Sequence, residues 1–324
     1  MMRQNPTNRG IALVLVLLMI SVIVAVTIQL NVASRAEIQE AANIGDGIML
    51  SYIAKSGFNG AEAILIEDDN NVDSLTEDWA NADLISAMSE ALFSRGSFIL
   101  FIEDESGKLP INKLVEGTDY NNAIKELMLR FLESDEFNLD EQQVRDIVDA
   151  IKDWIDADDE PTGFGAENSY YKGLDTPYPC KNGPLDSIDE LLKIKGITRD
   201  LFYGSEKTPG LRHYVTIHSE GKININTARP MILRALADGI TAEMAADMDE
   251  FRRNESNDLS DTSWYKDVTG MDAVTIDRNL ITVQSDVFTI ISTGQAGSMK
   301  KRITGVIKRS ITNRTATVLS WKVD

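Results

Sequence analysis

Cysteine occurs once, as Cys180, and histidine only as His213 and His218. One thiol excludes an intramolecular disulfide framework, and so few soft ligands exclude a Cys/His zinc site of the usual kind. Also absent are a Gly-x-Ser-x-Gly elbow, a P-loop, a Gly-x-Gly-x-x-Gly turn and a His-Glu-x-x-His helix, the local signatures of common hydrolase, nucleotide-binding and metalloprotease chemistry. With no nucleophile in a recognisable setting, the chain reads as a non-enzyme. Basic residues are outnumbered, 32 Lys and Arg against 51 Asp and Glu, for a net charge of −19. Such a surface repels phosphate backbones at long range, so nucleic acid is not an expected partner. At 324 residues, 43% hydrophobic and 26% charged, the composition fits one or two folded bodies and neither a disordered chain nor a many-span membrane protein.

What the sequence does contain is one long uncharged run. From Ile11 to Gln29 it reads IALVLVLLMISVIVAVTIQ, and no charge follows until Arg35; roughly 20 apolar residues cross a bilayer as one helix. Arg3 and Arg9 precede the run and Arg35, Glu37 and Glu40 follow it, which puts the N-terminus in the cytoplasm and the bulk of the chain outside. A cleaved secretory signal has an apolar core of about 7 to 15 residues, shorter than this one. An ordinary signal anchor fits the length. The junction Asn8-Arg9-Gly10-Ile11, a short polar leader ending in Gly before the apolar helix, resembles type IV prepilin-like proteins. That resemblance implies cleavage after Gly10 by a membrane prepilin peptidase, with Ile11 as the new N-terminus and its amine usually methylated.

Ile38, Ala41, Ala42, Met49, Tyr52, Ile53, Ala63 and Ile64 recur at near-helical spacing, which predicts that the helix continues past the membrane. Gly45, Gly47, Gly57 and Gly60 oppose it, each at about 1 kcal/mol relative to Ala. The pilin-like pattern has Glu at the fifth mature position, where it meets the amine of the subunit ahead; here that position is Leu15. A carboxylate buried in lipid needs a partner, and a subunit with nothing ahead of it has none, so Leu15 marks a place at the tip of a fibre. A non-pilin anchor would carry the same residue, and Leu15 has force only jointly with Gly10.

Beyond this, GSFILFIED around Ser97–Glu103 reads as a strand, the stretch from about Pro110 to Tyr265 as helical and acidic, and the stretch from about Leu280 to Asp324 as three strands. Helices lying between strands of one sheet imply an inserted helical domain. Gly107-Lys108-Leu109-Pro110-Ile111-Asn112 is echoed by Gly221-Lys222-Ile223-Asn224-Ile225-Asn226. Asn226-Thr227-Ala228 can cap a helix with Pro230 in its first turn. Ile188–Leu201 has the look of a helix-hairpin-helix turning at Gly196, but with one Gly instead of a pair and acidic neighbours.

The loop DWIDADDEPTGFGAE, Asp153 to Glu167, crowds carboxylates that repel unless solvated or neutralised. Counting from Asp156 as one, Asp158 is third, Glu160 fifth, Thr162 seventh and Glu167 twelfth, the ligand spacing of an EF-hand, although Pro161 stands where that loop needs Gly. The candidate ligands are Asp156, Asp158, Asp159, Glu160 and Glu167. Ca²⁺ suits a flexible, carboxylate-rich loop better than Mg²⁺, which demands octahedral geometry; a solvated acidic turn is the plainer alternative. Other residues read as structural: His213 and His218 packed or exposed, Trp154, Trp264 and Trp321 as core anchors, Cys180 as a loop thiol with an intermolecular disulfide as alternative. Lys300, Lys301, Arg302, Lys308 and Arg309 form a basic cluster that could face the acidic body, a partner or solvent.

The Gly10-Ile11 junction with Leu15, the run Asp153-Trp154-Ile155-Asp156-Ala157-Asp158-Asp159-Glu160-Pro161, Gly165-Ala166-Glu167 with Tyr170-Tyr171, Pro177-Tyr178, Asn182-Gly183-Pro184-Leu185 and Ile223-Asn224-Ile225-Asn226-Thr227-Ala228 together resemble the minor pseudopilin K family of the type II secretion system, over nearly the whole chain. The resemblance implies an α+β, pilin-like fold: a long N-terminal helix packed on a small antiparallel sheet, with a large mostly helical domain of helix-hairpin-helix or SAM-like repeats inserted between strands. The expected division is a leader at 1–10, a membrane and assembly helix at 11–31, pilin-like helix and first strand at 32–106, the inserted domain at 107–278 and terminal strands at 279–324. It further implies a tip subunit that initiates or caps the pseudopilus, calcium in the helical domain, and the minor pseudopilins I and J as partners. Prepilin peptidase, the inner-membrane secretion platform and secreted substrates complete the partner set, at a single-pass location in the bacterial inner membrane with a periplasmic body. The rival reading is a membrane-anchored periplasmic calcium-dependent binding protein or hydrolase outside any fibre.

Overall fold

A computed structural model describes residues 8–68, 71–206, 208–310 and 312–324; residues 1–7 of the expected leader lie outside the described residues. Helix α1, Asn8–Glu67, runs unbroken for 60 residues through the apolar segment and past it. Its apolar half is exposed along its length, while Leu50, Ile53, Ala54, Phe58, Ala61 and Leu65 are buried. That buried stripe overlaps the one expected from spacing only in part: of the eight positions named, Ile53 is buried, Met49 and Ile64 are half-buried against the same core, and Ile38 and Tyr52 face outward. Two apolar stripes share this helix, and packing selects the one flanking its glycines. A Cβ on Gly57 would stand 2.5 Å from the Ser292 hydroxyl and 2.8 Å from the Phe98 ring, whereas Gly60 faces open space. Gly57 is therefore a close-approach residue, and the expected helix penalty is offset by contact.

The stripe packs on a four-stranded antiparallel sheet ordered β1 (Ser97–Asp104), β2 (Val287–Ala296), β3 (Met299–Ser310) and β4 (Thr315–Val323). Phe98 pairs with Gly294, Ile102 with Ile290, and Ile291 with Thr304; β4 carries a bulge between Val318 and Ser320. Phe98, Leu100, Ile102, Phe288, Ile290, Ile303 and Ile307 close one core with α1, joined by Trp79. Before the sheet lies α2, Ala82–Met88, whose Ser86 hydroxyl accepts from the Leu100 N–H at 2.8 Å; Ser89, just after it, accepts from the Phe98 N–H at 3.0 Å. These hydroxyls occupy the outer edge of β1, where an open strand would invite pairing.

Between β1 and β2 the chain builds a second core, from Leu109 to Val283. Its helices include α3 (Asn122–Leu132), α4 (Glu141–Ile155), α5 (Pro230–Ala235) and α6 (Ala242–Arg252). The two echoing segments are placed alike: Leu109–Pro110 pairs in parallel with Val215–Thr216, and Ile223–Asn224 with Ile281–Thr282. Because Leu280, Ile281 and Val283 belong to this core, the body reaches a few residues past the expected boundary at 279. Gly196 turns with φ +86° between the 3-10 helix Ile188–Lys193 and the helix Arg199–Tyr203, as the hairpin reading requires. Pro230 opens α5, but its N-cap is Arg229 without a side-chain cap. Asn226 instead accepts from the Trp264 indole at 2.7 Å, and Thr227 donates to Asp104 at 2.5 Å.

The two cores meet where α1 ends. Buried Asp104 also accepts from Ser285 at 2.6 Å and Asn224 at 3.1 Å, and Arg309 pairs with Asp73 and, at 3.0 Å, with Asp68. Burial pushes Asp73 up to about 7, with Asp104 adding to it against the pull of Arg309. The helical body thus stands at the end of the sheet far from the apolar half of α1. Within the basic cluster, Arg309 is consumed by this junction and Lys308 pairs with Glu220 of the body. Trp154 and Trp264 are core residues, but Trp321 is 43% exposed against the edge of Phe58. A buried Cys180 is closed to an intermolecular disulfide without unfolding, and burial pushes its thiol up to about 12.

Candidate metal centre

Helix α4 presents the acidic loop. A capping box of Asp140 and Gln143 starts it, and Val144, Ile147, Val148, Ile151 and Trp154 lock one face into the core. The opposite side of its last turn carries Asp149, Lys152, Asp153 and Asp156, the last as C-cap. The loop folds back on this turn. The Thr162 N–H donates to Asp153 at 3.0 Å and the Phe164 N–H to Asp149 at 3.3 Å, while the Lys195 ammonium donates to the Phe164 carbonyl at 2.7 Å. Gly165 is needed here, since a Cβ would fall 2.1 Å from an Asp153 oxygen.

Folding back brings Asp156, Asp158 and Glu167 together, with one carboxylate oxygen of each within 4.8 Å of the others. Asp156 and Glu167 are each 1% exposed. Asp156 Oδ1, both Glu167 oxygens and the Asn182 amide oxygen are buried without a hydrogen-bond partner. Burial first, then the charges of Asp153 and Asp156, push Glu167 up to about 7. Asp156 is also raised by burial, against the pull of Lys152. A buried unpaired carboxylate costs several kcal/mol unless a proton or cation neutralises it. Three carboxylates form a hard donor set suited to a cation such as Ca²⁺, and the Asn182 amide stands beside them, donating to the Asp158 carbonyl.

Asp159 and Glu160, also named from the sequence, are not in that group. Asp159 accepts from the Asn168 backbone at 3.2 Å and its side-chain amide at 2.9 Å, contacts that hold its carboxyl below the usual range, and Glu160 is exposed. Thr162 accepts from Lys152 at 2.8 Å. Positions one, three and twelve of the counted spacing converge, while position five, Glu160, is exposed and position seven, Thr162, meets Lys152. Asn182 carried no sequence signal as a member of the site. It is returned to the loop by a left-handed backbone (φ 48°), by its amide donating to the Asp158 carbonyl, and by the Gly183 N–H donating to the Trp154 carbonyl at 3.3 Å.

A second carboxylate group, Asp68, Asp73 and Glu77, is built differently. Arg309 pairs with two of its members, Ser285 donates its N–H to Asp73 at 2.7 Å, and Ser74 and Trp79 each donate to Glu77 at 2.8 Å. A protein cation already stands in it.

The helical body is also where known proteins align. Residues 107–217 match the family model for the type II secretion system (T2SS), protein K. The type II secretion system protein K of Aeromonas hydrophila is 27% identical over 238 residues, covering 68% of this chain and 67% of that one. That of Pseudomonas aeruginosa is 28% identical over 240 residues, with 71% and 68% covered. Over these residues the chain is similar to the type II secretion system protein K family. In fold it is similar to a chain in the crystal structure of the GspK-GspI-GspJ complex from enterotoxigenic Escherichia coli, at a TM-score of 0.65 and 16% identity, over 89% of this chain and 99% of that one. The α+β arrangement expected from the resemblance is therefore the observed one. Helix α1 has the length and composition of a membrane span from Gly10 onward, Gly10 and Ile11 lie within it, and Leu15 is on its exposed apolar surface.

Proposed function

We propose that this chain, similar to protein K, is a minor pseudopilin of the type II secretion system that works at the tip of the pseudopilus and starts or caps its assembly. The observation that carries the reading is the placement of mass: a bare apolar half-helix at one end and a helical body, inserted between β1 and β2, at the other. Lateral packing of such helices builds a fibre. A body of that bulk above the sheet leaves no seat for another subunit ahead. Leu15 agrees, since a subunit with no neighbour ahead has no amine for a carboxylate to meet. The GspK-GspI-GspJ complex of the structural relative supports minor pseudopilins I and J as partners. By this reading the N-terminus is cytoplasmic, the body periplasmic, prepilin peptidase cuts after Gly10, and the inner-membrane platform receives the processed subunit. The role is assembly and not catalysis. Mass spectrometry of the mature chain tests it: the expected terminus is methylated Ile11, and an intact Met1 in the native host would leave only a membrane anchor.

We further infer that the loop from Asp156 to Glu167 holds a structural Ca²⁺, supported by the four buried oxygens that lack a donor. Bound calcium supplies charge neutralisation and oxygen coordination, which ties the loop to the end of α4. A fall in melting temperature on chelation is the expected sign.

A further inference from the structure

Lys152 lies inside the acidic site. Its side chain is 7% exposed, it donates to Asp156 Oδ2 and, at 2.8 Å, to Thr162, and its ammonium stands 5.6 Å from the centre of the Tyr120 ring. It therefore holds one oxygen of a carboxylate whose other oxygen, Asp156 Oδ1, is buried and without a partner. Glu167, the third member of the cluster, has neither oxygen satisfied. The ammonium thus answers part of the site's charge and leaves the remaining oxygens open. A divalent cation seated among Asp156, Asp158 and Glu167 would share Asp156 with Lys152, and the two positive charges repel at close range.

We propose that Lys152 is an internal competitor that sets the affinity of this site for a divalent cation. Without the ion it pins Asp156 and limits repulsion among the carboxylates; with the ion bound it weakens the complex. The site is thereby biased toward reversible binding instead of permanent occupancy. Calcium sites tune affinity by the net charge of their ligands, and here the tuning charge is a lysine one helical turn before its carboxylate. The inference rests on the calcium reading.

The experiment uses the full chain in detergent micelles, stripped with EDTA and titrated calorimetrically with CaCl₂, with thermal melts before and after. Lys152→Gln, which keeps a donor for Asp156 and removes the charge, is expected to bind Ca²⁺ about tenfold tighter or more. It should also melt lower than the parent without metal and rise further with it. Lys152→Met is a second neutral variant of similar length, and Lys152→Arg, which keeps the charge, should stay within about threefold of the parent. If a neutral variant unfolds without metal, its refolding at lower calcium than the parent needs to bind carries the same sign. Equal or weaker binding by both neutral variants, with the parent binding normally, would overturn the competitor and make Lys152 a support for Asp156. A parent that takes up no Ca²⁺ rejects the metal reading itself, and the competitor with it.

Discussion

Among the described residues two groups of three carboxylates form, and the cation standing in each separates them. Arg309 brings a fork of donors to Asp68 and Asp73, reaching the Leu65 and Ser285 carbonyls as well, so that group is complete as a piece of protein. Lys152 brings a point charge to one Asp156 oxygen and leaves Glu167 unmet. The physical expectation follows from linkage: an ion that binds only the folded loop adds stability that grows with its concentration over Kd. Chelation should lower the melting temperature of the parent, and replacing Asp156 and Glu167 together by Ala should erase the response to both EDTA and added Ca²⁺. A double variant that still responds would move the ion elsewhere, and a parent indifferent to EDTA would leave a buried acidic turn. The sequence disclosed the loop but not its full donor set. Asp156, Asp158 and Glu167 were legible because they sit at fixed steps in one short loop. Asn182 and Lys152 were not, because one arrives by a turn after Cys180 and the other by the geometry of a helix end.

Helix α1 shows how an element can be legible in extent and illegible in phase. Its apolar content predicted the span, and continuation beyond it was readable from period alone; the face that meets the sheet was not, since Ile38, Ala41 and Tyr52 make as regular a stripe as Leu50, Ala54 and Phe58. What decides is the partner surface, where Gly57 lets Phe98 and Ser292 approach and Gly294 is so close that a Cβ there would fall 2.3 Å from the Leu50 carbonyl. Two glycines on one helix should then respond oppositely to the same change. Gly57→Ala drives a methyl into the sheet and should cost about 1–3 kcal/mol, the usual range for overpacking. Gly60→Ala meets nothing within 4 Å and should stabilise by about 0.5–1 kcal/mol through helix propensity and a less free unfolded chain. Denaturant melts of the two variants measure both signs. A Gly57→Ala chain as stable as the parent would show that α1 can back away from the sheet. The strands were easier to read than this face because alternation has period two, so the inward residues Phe98, Leu100 and Ile102 identify themselves.

At the scale of the whole molecule the argument concerns direction. The apolar half of α1 points one way and the helical body the other, with the junction of Asp104, Asp73 and Arg309 between body and sheet; on the proposed reading, a fibre carries such a molecule at its leading end. On that reading the residue that would respond to this placement is far from the body. Leu15 lies in the span, and a carboxylate there costs about 2.5–3.5 kcal/mol at the centre of a bilayer unless a partner meets it. In a shaft the subunit ahead supplies an amine; at the tip none exists. Leu15→Glu should therefore either reduce recovery of the chain in assembled fibres or shift it from the tip into the shaft. Quantifying its peptides against those of the major subunit in purified fibres reads both outcomes, the first as a loss of copies and the second as a rise accompanied by a changed length distribution. Fibres with the parent's copy number and lengths would show that the amine ahead is irrelevant to this chain, and tip placement would then rest on the bulk of the body alone.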